Sequence, residues 1–151
     1  MIDNLAPIDI LLLEDNPQDL ELALRVLGKV SPINQIKVVR DGAEAVEFLF
    51  GSAGTGPEPA VPTLKVIILD LKVPKIDGLE VLKLLKSDAR TKAIPVVVLT
   101  SSQEPRDILE SFQLGVNSYV VKPVDFEHFS HAVQQIGQYW LRLNQSHKIV
   151  E

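Results

Sequence analysis

Short, almost wholly apolar segments alternate with amphipathic ones along the entire chain, and this alternation constrains the fold more than any other feature of the sequence. Residues 8–13 (Ile-Asp-Ile-Leu-Leu-Leu), 34–40, 65–70 (Lys-Val-Ile-Ile-Leu-Asp), 94–99 and 118–121 have the length and continuous apolar character of strands covered on both faces. Between them, apolar residues recur at helical spacing. Leu20, Ala23, Leu24 and Leu27 follow Pro17, a residue suited to a first helical turn. Ala45, Val46 and Leu49 follow Asp41, which with Glu44 three residues on reads as a capping pair. Leu79, Leu82 and Leu85 mark a third helix over residues 78–86, and residues 105–114, ended by Gly115, a fourth. A last helix is predicted over residues 126–143, with Phe126, Phe129, Val133, Ile136, Trp140 and Leu143 spaced 3, 4, 3, 4 and 3 apart. Five strand–helix units in succession imply a doubly wound α/β fold: a five-stranded parallel sheet with right-handed crossovers, flanked by five helices. Residues 51–63, rich in Gly and Pro, read as a surface loop inside one domain.

At 151 residues the chain fits one domain, residues 1–151 with a core over about 8–144, and no output domain is expected after the last helix. A net charge of -5, with 20 acidic against 15 basic residues, argues against a nucleic-acid surface. The chain has no cysteine, which excludes disulfides, thiolate catalysis and zinc–sulfur sites. No signal peptide is recognisable at residues 1–7 and no apolar run is long enough to span a bilayer, so a cytoplasmic protein with no membrane partner is expected.

In sheets of this kind ligands bind beyond the carboxyl ends of the strands. There the sequence places Glu14-Asp15, Asp70, Thr100-Ser101 and Lys122-Pro123. A carboxylate cluster without a matching basic cluster calls for a cation, and hard oxygen donors suit Mg²⁺, which binds a phosphate beside one or two carboxylates. A carboxylate can also attack a phosphoryl group and form an acyl phosphate, provided that the equatorial oxygens are neutralised. Mg²⁺, the Lys122 ammonium and the Thr100 hydroxyl are suited to that task. Each residue taken alone has a plainer reading: Asp15 as a helix cap, Asp70 as a turn residue, Thr100 as a loop cap, Lys122 as a surface lysine, Tyr119 as sheet packing. Their joint occurrence at successive strand ends favours the chemical reading.

Glu14-Asp15-Asn16-Pro17, Leu69-Asp70-Leu71-Lys72-Val73-Pro74-Lys75-Ile76-Asp77-Gly78, Leu99-Thr100-Ser101-Ser102 and Tyr119-Val120-Val121-Lys122-Pro123 together resemble the receiver domain of two-component response regulators, the chemotaxis-regulator-like, flavodoxin-like fold. The resemblance covers nearly the whole chain. It implies that Asp70 is the phosphoacceptor, that Asp15 ligates Mg²⁺ directly and Glu14 through water, and that the backbone carbonyl of Lys72 is a third ligand. It implies further that Thr100 and Lys122 hold the phosphoryl oxygens, that the Lys122–Pro123 peptide is cis, and that Tyr119 is a switch residue coupled to Thr100. The partner it implies is a sensor histidine kinase. The loop at 51–63 and the ending Gln138-Tyr139-Trp140-Leu141-Arg142-Leu143-Asn144 are similar to the stand-alone regulators paired with bacterial and cyanobacterial phytochrome kinases.

The expected function is therefore that of a response regulator that is not an enzyme beyond Mg-dependent self-phosphorylation and slow autodephosphorylation. The alternative is a receiver-like docking module that is never phosphorylated. A haloacid-dehalogenase-type phosphatase would need a second carboxylate where Lys72 stands, and a flavodoxin would need a hydroxyl- and glycine-rich loop where Glu14-Asp15-Asn16-Pro17 would repel phosphate. His128, His131 and His147 lie away from the cluster and read as solvated, not as metal ligands. The apolar residues of the last strand and helix, with Tyr139 and Leu141 off the main seam, lead to the expectation of a homodimer surface.

Overall fold

A computed structural model describes residues 7–51 and 61–145. The chain runs through β1 (Ile10–Leu13), α1 (Pro17–Leu27), β2 (Ile36–Val39), α2 (Gly42–Phe50), β3 (Val66–Leu69), α3 (Gly78–Ser87), β4 (Val96–Thr100), α4 (Pro105–Leu114), β5 (Ser118–Val121) and α5 (Phe126–Gln138). The strands form one sheet in the order β2-β1-β3-β4-β5, and every neighbouring pair is parallel. The expected doubly wound architecture is what forms. Most of the loop predicted over 51–63 lies outside the described residues; its last three, Val61–Thr63, make a 3-10 turn with Val61 buried.

The continuous apolar strands are explained by their period of two. Leu11, Leu13, Ile67, Leu69, Val96 and Val98 point into one core with Ala45 and Leu49 of α2 and Val81, Leu82 and Leu85 of α3. Their alternates Ile10, Leu12, Val66, Ile68, Val97 and Leu99 point into the other, with Leu20, Ala23 and Leu27 of α1 and Phe129, Val133 and Ile136 of α5. Both faces are covered, so β1, β3 and β4 are buried along their whole length. Among the described residues no helix is long and apolar enough to cross a membrane.

One expectation is corrected by this packing. The helical seam on the last helix holds only in its middle: Phe129, Val133 and Ile136 are buried, whereas Phe126 is 63% exposed and Leu143 75%. Phe126 is the first residue of α5. At the other end the helix changes to a π turn, Tyr139–Leu143, closed by a 2.7 Å bond from the Asn144 N–H to the Tyr139 carbonyl. The wider turn breaks the 3.6-residue register and carries Leu143 off the buried face. On α3, Leu82 and Leu85 are buried as expected, Leu79 packs partly buried against the same core, and Val81 joins them.

The loop between β3 and α3 is held from the α2 side by contact too close for a side chain. A Cβ on Gly42, the first residue of α2, would run into the backbone carbonyl of Ile76. The Gly42 N–H donates to the Pro74 carbonyl at 3.1 Å, and Lys75, at the unusual φ of 73°, pairs with Asp41 at 3.6 Å. We expect Gly42→Ala to destabilise the fold by about 1–3 kcal/mol, because the carbonyl it meets is backbone and cannot move aside cheaply. Urea unfolding checks this, and an unchanged midpoint rejects the tight contact.

Candidate functional site

The site is built from the carboxyl ends of β1, β3, β4 and β5. Residues there leave the sheet while still surrounded by it, which is why polar side chains become buried. Glu14 is 2% exposed, Asp70 5% and Thr100 fully buried. Asp15 is exposed, and it is not a helix cap: Asn16 performs that task, accepting from the N–H groups of Gln18 and Asp19 at 3.0 Å each. One carboxylate oxygen from each of Glu14, Asp15 and Asp70 lies within 4.8 Å of the others, the candidate metal group found among the described residues. Three hard oxygen donors at that spacing fit Mg²⁺. The exposed pair His128 and His131 forms no such group; the His128 ring binds Asp125 at 2.6 Å, and His147 lies outside the described residues.

Both oxygens of the Asp70 carboxylate are held. Oδ1 accepts the Lys72 N–H at 3.2 Å and Oδ2 the Lys122 ammonium at 2.9 Å. The Lys122 side chain is 10% exposed and also reaches Glu14 at 3.1 Å and Asp19 at 2.9 Å. Asp19 was not among the expected site residues. Its signal was available: it stands four residues after Asp15, in the first turn of α1, on the side facing the end of β5. Thr100 closes β4, where its hydroxyl lies 3.4 Å from the Ser102 N–H and its carbonyl accepts the Lys122 N–H at 2.7 Å. Tyr119 is half-buried, and its hydroxyl donates to the Ser102 carbonyl at 3.0 Å.

The Lys122–Pro123 peptide, expected to be cis, is not: the described residues contain no cis peptide bond. For an X–Pro bond the trans form is the favoured one by about 0.5–1 kcal/mol, and Lys122 already reaches three carboxylates with the peptide trans.

Four carboxylates around one ammonium leave the site strongly acidic. Burial pushes the Glu14 carboxyl up to about 7, the nearby Lys122 ammonium opposes that shift, and Asp70 adds to it. Burial works against the Lys122 ammonium, yet its bonds to Asp19 and Asp70 outweigh that and raise its pKa. On the far side of Thr100, the Ser102 hydroxyl binds Asp107 at 2.5 Å and, against burial and with help from Lys72, holds that carboxyl below its usual range.

Comparison with known proteins agrees with this geometry. Residues 10–134 match the model of the response regulator receiver domain. Over 140 residues the chain is 39% identical to the "Probable methanogenesis regulatory protein FilR2" of Methanothrix harundinacea, covering 93% of this chain and 88% of that protein. It is 38% identical over 137 residues to the response regulator Rcp1 of Synechocystis sp., covering 89% of this chain and 90% of that protein. The Mn²⁺-bound form of Rcp1 superposes with a TM-score of 0.80 at 38% identity, covering 93% of this chain and 99% of the other. The phosphorylated cyanobacterial phytochrome response regulator RcpA does so with a TM-score of 0.80 at 35% identity, covering 94% and 99%.

The raised Glu14 pKa sets a pH dependence. The unfolded chain loses this proton near pH 4.5, whereas the folded protein keeps it up to about pH 7. Its contribution to stability is therefore complete below the lower value and is lost as pH rises through the higher one. With EDTA present, the stability of the protein relative to a Glu14→Gln variant should fall across that window, as followed by urea unfolding at stepped pH. A difference that does not vary with pH rejects a protonated Glu14.

Proposed function

The chain belongs to the response regulator receiver family of two-component signalling, and from that premise we propose that Asp70 is its phosphoacceptor. The observation that carries the proposal is the Asp70 carboxylate itself, at the end of β3, held by Lys72 N–H and Lys122 Nζ and within ligand spacing of Glu14 and Asp15. In the reaction an Asp70 oxygen attacks the phosphorus of a phosphohistidine on a partner kinase. The P–N bond breaks, an acyl phosphate forms, and the imidazole takes up a proton. Asp15, Asp70 and the backbone carbonyl of Lys72 are the proposed direct ligands of Mg²⁺. Glu14, already engaged by Lys122 and by the Asn16 N–H at 3.1 Å, acts through water. Bound Mg²⁺ supplies charge neutralisation at the phosphoryl oxygens. Thr100 and Lys122 bind those oxygens, and movement of Thr100 toward them is coupled to Tyr119, the proposed switch residue. Loss of the phosphoryl group to water is slow and is the protein's own reaction.

The donor has a surface to approach. Beside the site, between α1 and the β5–α5 connection, lies a groove of about 320 Å³ lined by Leu22, Pro123, Val124, Phe126 and Phe129 among others. Val124 is fully exposed and Phe126 largely so, an apolar collar suited to a helix of the kinase. The relatives named as phytochrome response regulators make a phytochrome-linked histidine kinase in the cytoplasm the partner proposed here. Signal output is proposed to pass by protein contact, not through nucleic acid or a membrane. Incubation with a small phosphodonor and Mg²⁺ should add one phosphoryl mass to the protein and none to Asp70→Asn, read by intact-mass spectrometry. No added mass on the wild type would favour the docking-module alternative.

A homodimer through β5 and the last helix is also proposed. Every residue of β5 is half-buried, and a groove of about 470 Å³ lies along it, lined in part by Val120, Ala132, Ile136, Tyr139 and Trp140. Sedimentation at tens of micromolar, with and without a phosphoryl mimic, should show a dimer in at least one state. A monomer in both removes this interface.

A further inference from the structure

All three N–H donors of the Lys122 ammonium are used: they reach Asp70 and Asp19 at 2.9 Å and Glu14 at 3.1 Å. The three carboxylates are not equivalent. Glu14 and Asp70 belong, with Asp15, to the group whose oxygens lie within 4.8 Å of one another, and Asp19 stands outside that group. Asp19 also comes from another element, the first turn of α1, whereas Glu14 and Asp70 directly follow β1 and β3. Its side chain is 31% exposed, so water can hold its charge without help, while that of Lys122 is 10% exposed. The contact therefore serves the lysine more than the aspartate. Burial works against the ammonium, and first among the contacts that overcome it is the bond to Asp19.

A plainer role exists for a carboxylate at this position. Negative charge in the first turn stabilises a helix N-terminus by about 0.3–1 kcal/mol. That role needs no contact with Lys122, and it does not depend on what is bound beside Asp70.

We propose that Asp19 is a positioning residue of the acceptor site: it holds the Lys122 ammonium beside Asp70 when a divalent cation shares Glu14 and Asp70 with that ammonium. The inference rests on the cation site proposed above. Two positive groups on the same carboxylates repel each other, and burial strengthens the repulsion. Asp19 is the one partner of Lys122 that lies outside the shared set. It decides whether the ammonium stays within reach of an arriving phosphoryl oxygen or swings out to solvent.

Ammonium ¹H–¹⁵N spectra of lysine side chains in the full chain test this, because only ammonium groups sheltered from water exchange their protons slowly. The proteins are wild type and Asp19→Asn, with Lys122→Arg to identify the signal. The wild-type Lys122 signal should persist at saturating Mg²⁺. In Asp19→Asn it should be present without the cation, and its proton exchange should quicken by about tenfold once Mg²⁺ is added. Exchange in Asp19→Asn that does not respond to Mg²⁺ leaves only the helix-terminus role and overturns the inference. A second measurement does not depend on the variant folding. In the wild type, the scalar coupling across the hydrogen bond from Lys122 Nζ to the Asp19 carboxyl carbon should survive saturating Mg²⁺; its loss shows the ammonium leaving Asp19 and overturns the positioning role. Carboxyl ¹³C signals of Asp15 and Asp70 that stay in place through the same titration remove the cation site itself, and the inference with it. Phosphoryl uptake enters neither measurement, so the inference can fail while Asp70 remains the acceptor.

Discussion

The Lys122 ammonium sits among Asp70, Glu14 and Asp19 at 2.9–3.1 Å, at the end of a sheet whose strands are otherwise hydrocarbon. Much else follows from this contact. The two-sided burial that makes β1, β3 and β4 so apolar also carries the first residues beyond them, Glu14 and Asp70, out of water. Ionised carboxylates in that position repel one another and lose solvation, which is visible in the upward shift of Glu14. One ammonium offsets only part of that charge. The remaining carboxylates, Glu14, Asp15 and Asp70, stand at a spacing that suits a small dication.

The β3–α3 loop that follows Asp70 is held on two flanks. On one side Gly42 lets α2 approach the Ile76 carbonyl, and Asp41 pairs with Lys75. On the other, Asp107 pairs with Lys72. Lys75 is held at φ 73°, a conformation that costs a non-glycine residue about 1–2 kcal/mol and persists only where the surroundings enforce it. The same region links outward: Asp107 binds Ser102, whose carbonyl accepts the Tyr119 hydroxyl on β5. The Tyr119 hydroxyl thus ties the edge strand β5 to the β4–α4 turn, on the face of the sheet that packs against α2 and α3.

Much of this was legible in the residues. Alternation of apolar runs and helical spacing gave the order of elements, because a strand covered on both faces has no choice but continuous hydrocarbon. The strand ends gave Glu14, Asp15, Asp70, Thr100 and Lys122, and the structure brings Glu14, Asp70 and Lys122 into direct contact and Asp15 within ligand spacing of Asp70. Asp41 was readable as a cap because its partner Glu44 is local, three residues away. The π turn at Tyr139–Leu143 was not readable: Trp140 and Leu143 continue the helical spacing, and nothing in spacing alone announces a wider turn.

What the sequence determined by itself is the set of periodicities and the polar residues that interrupt them, since both are properties of neighbours along the chain. Tertiary structure decided which of those polar residues share a partner. Lys122 finds Asp19 across 103 positions and Asp70 across 52, and Lys72 pairs with Asp107 on α4. Such choices depend on which charge is buried too deeply to stay unpaired. Burial is settled only when helices from distant parts of the chain close over the sheet.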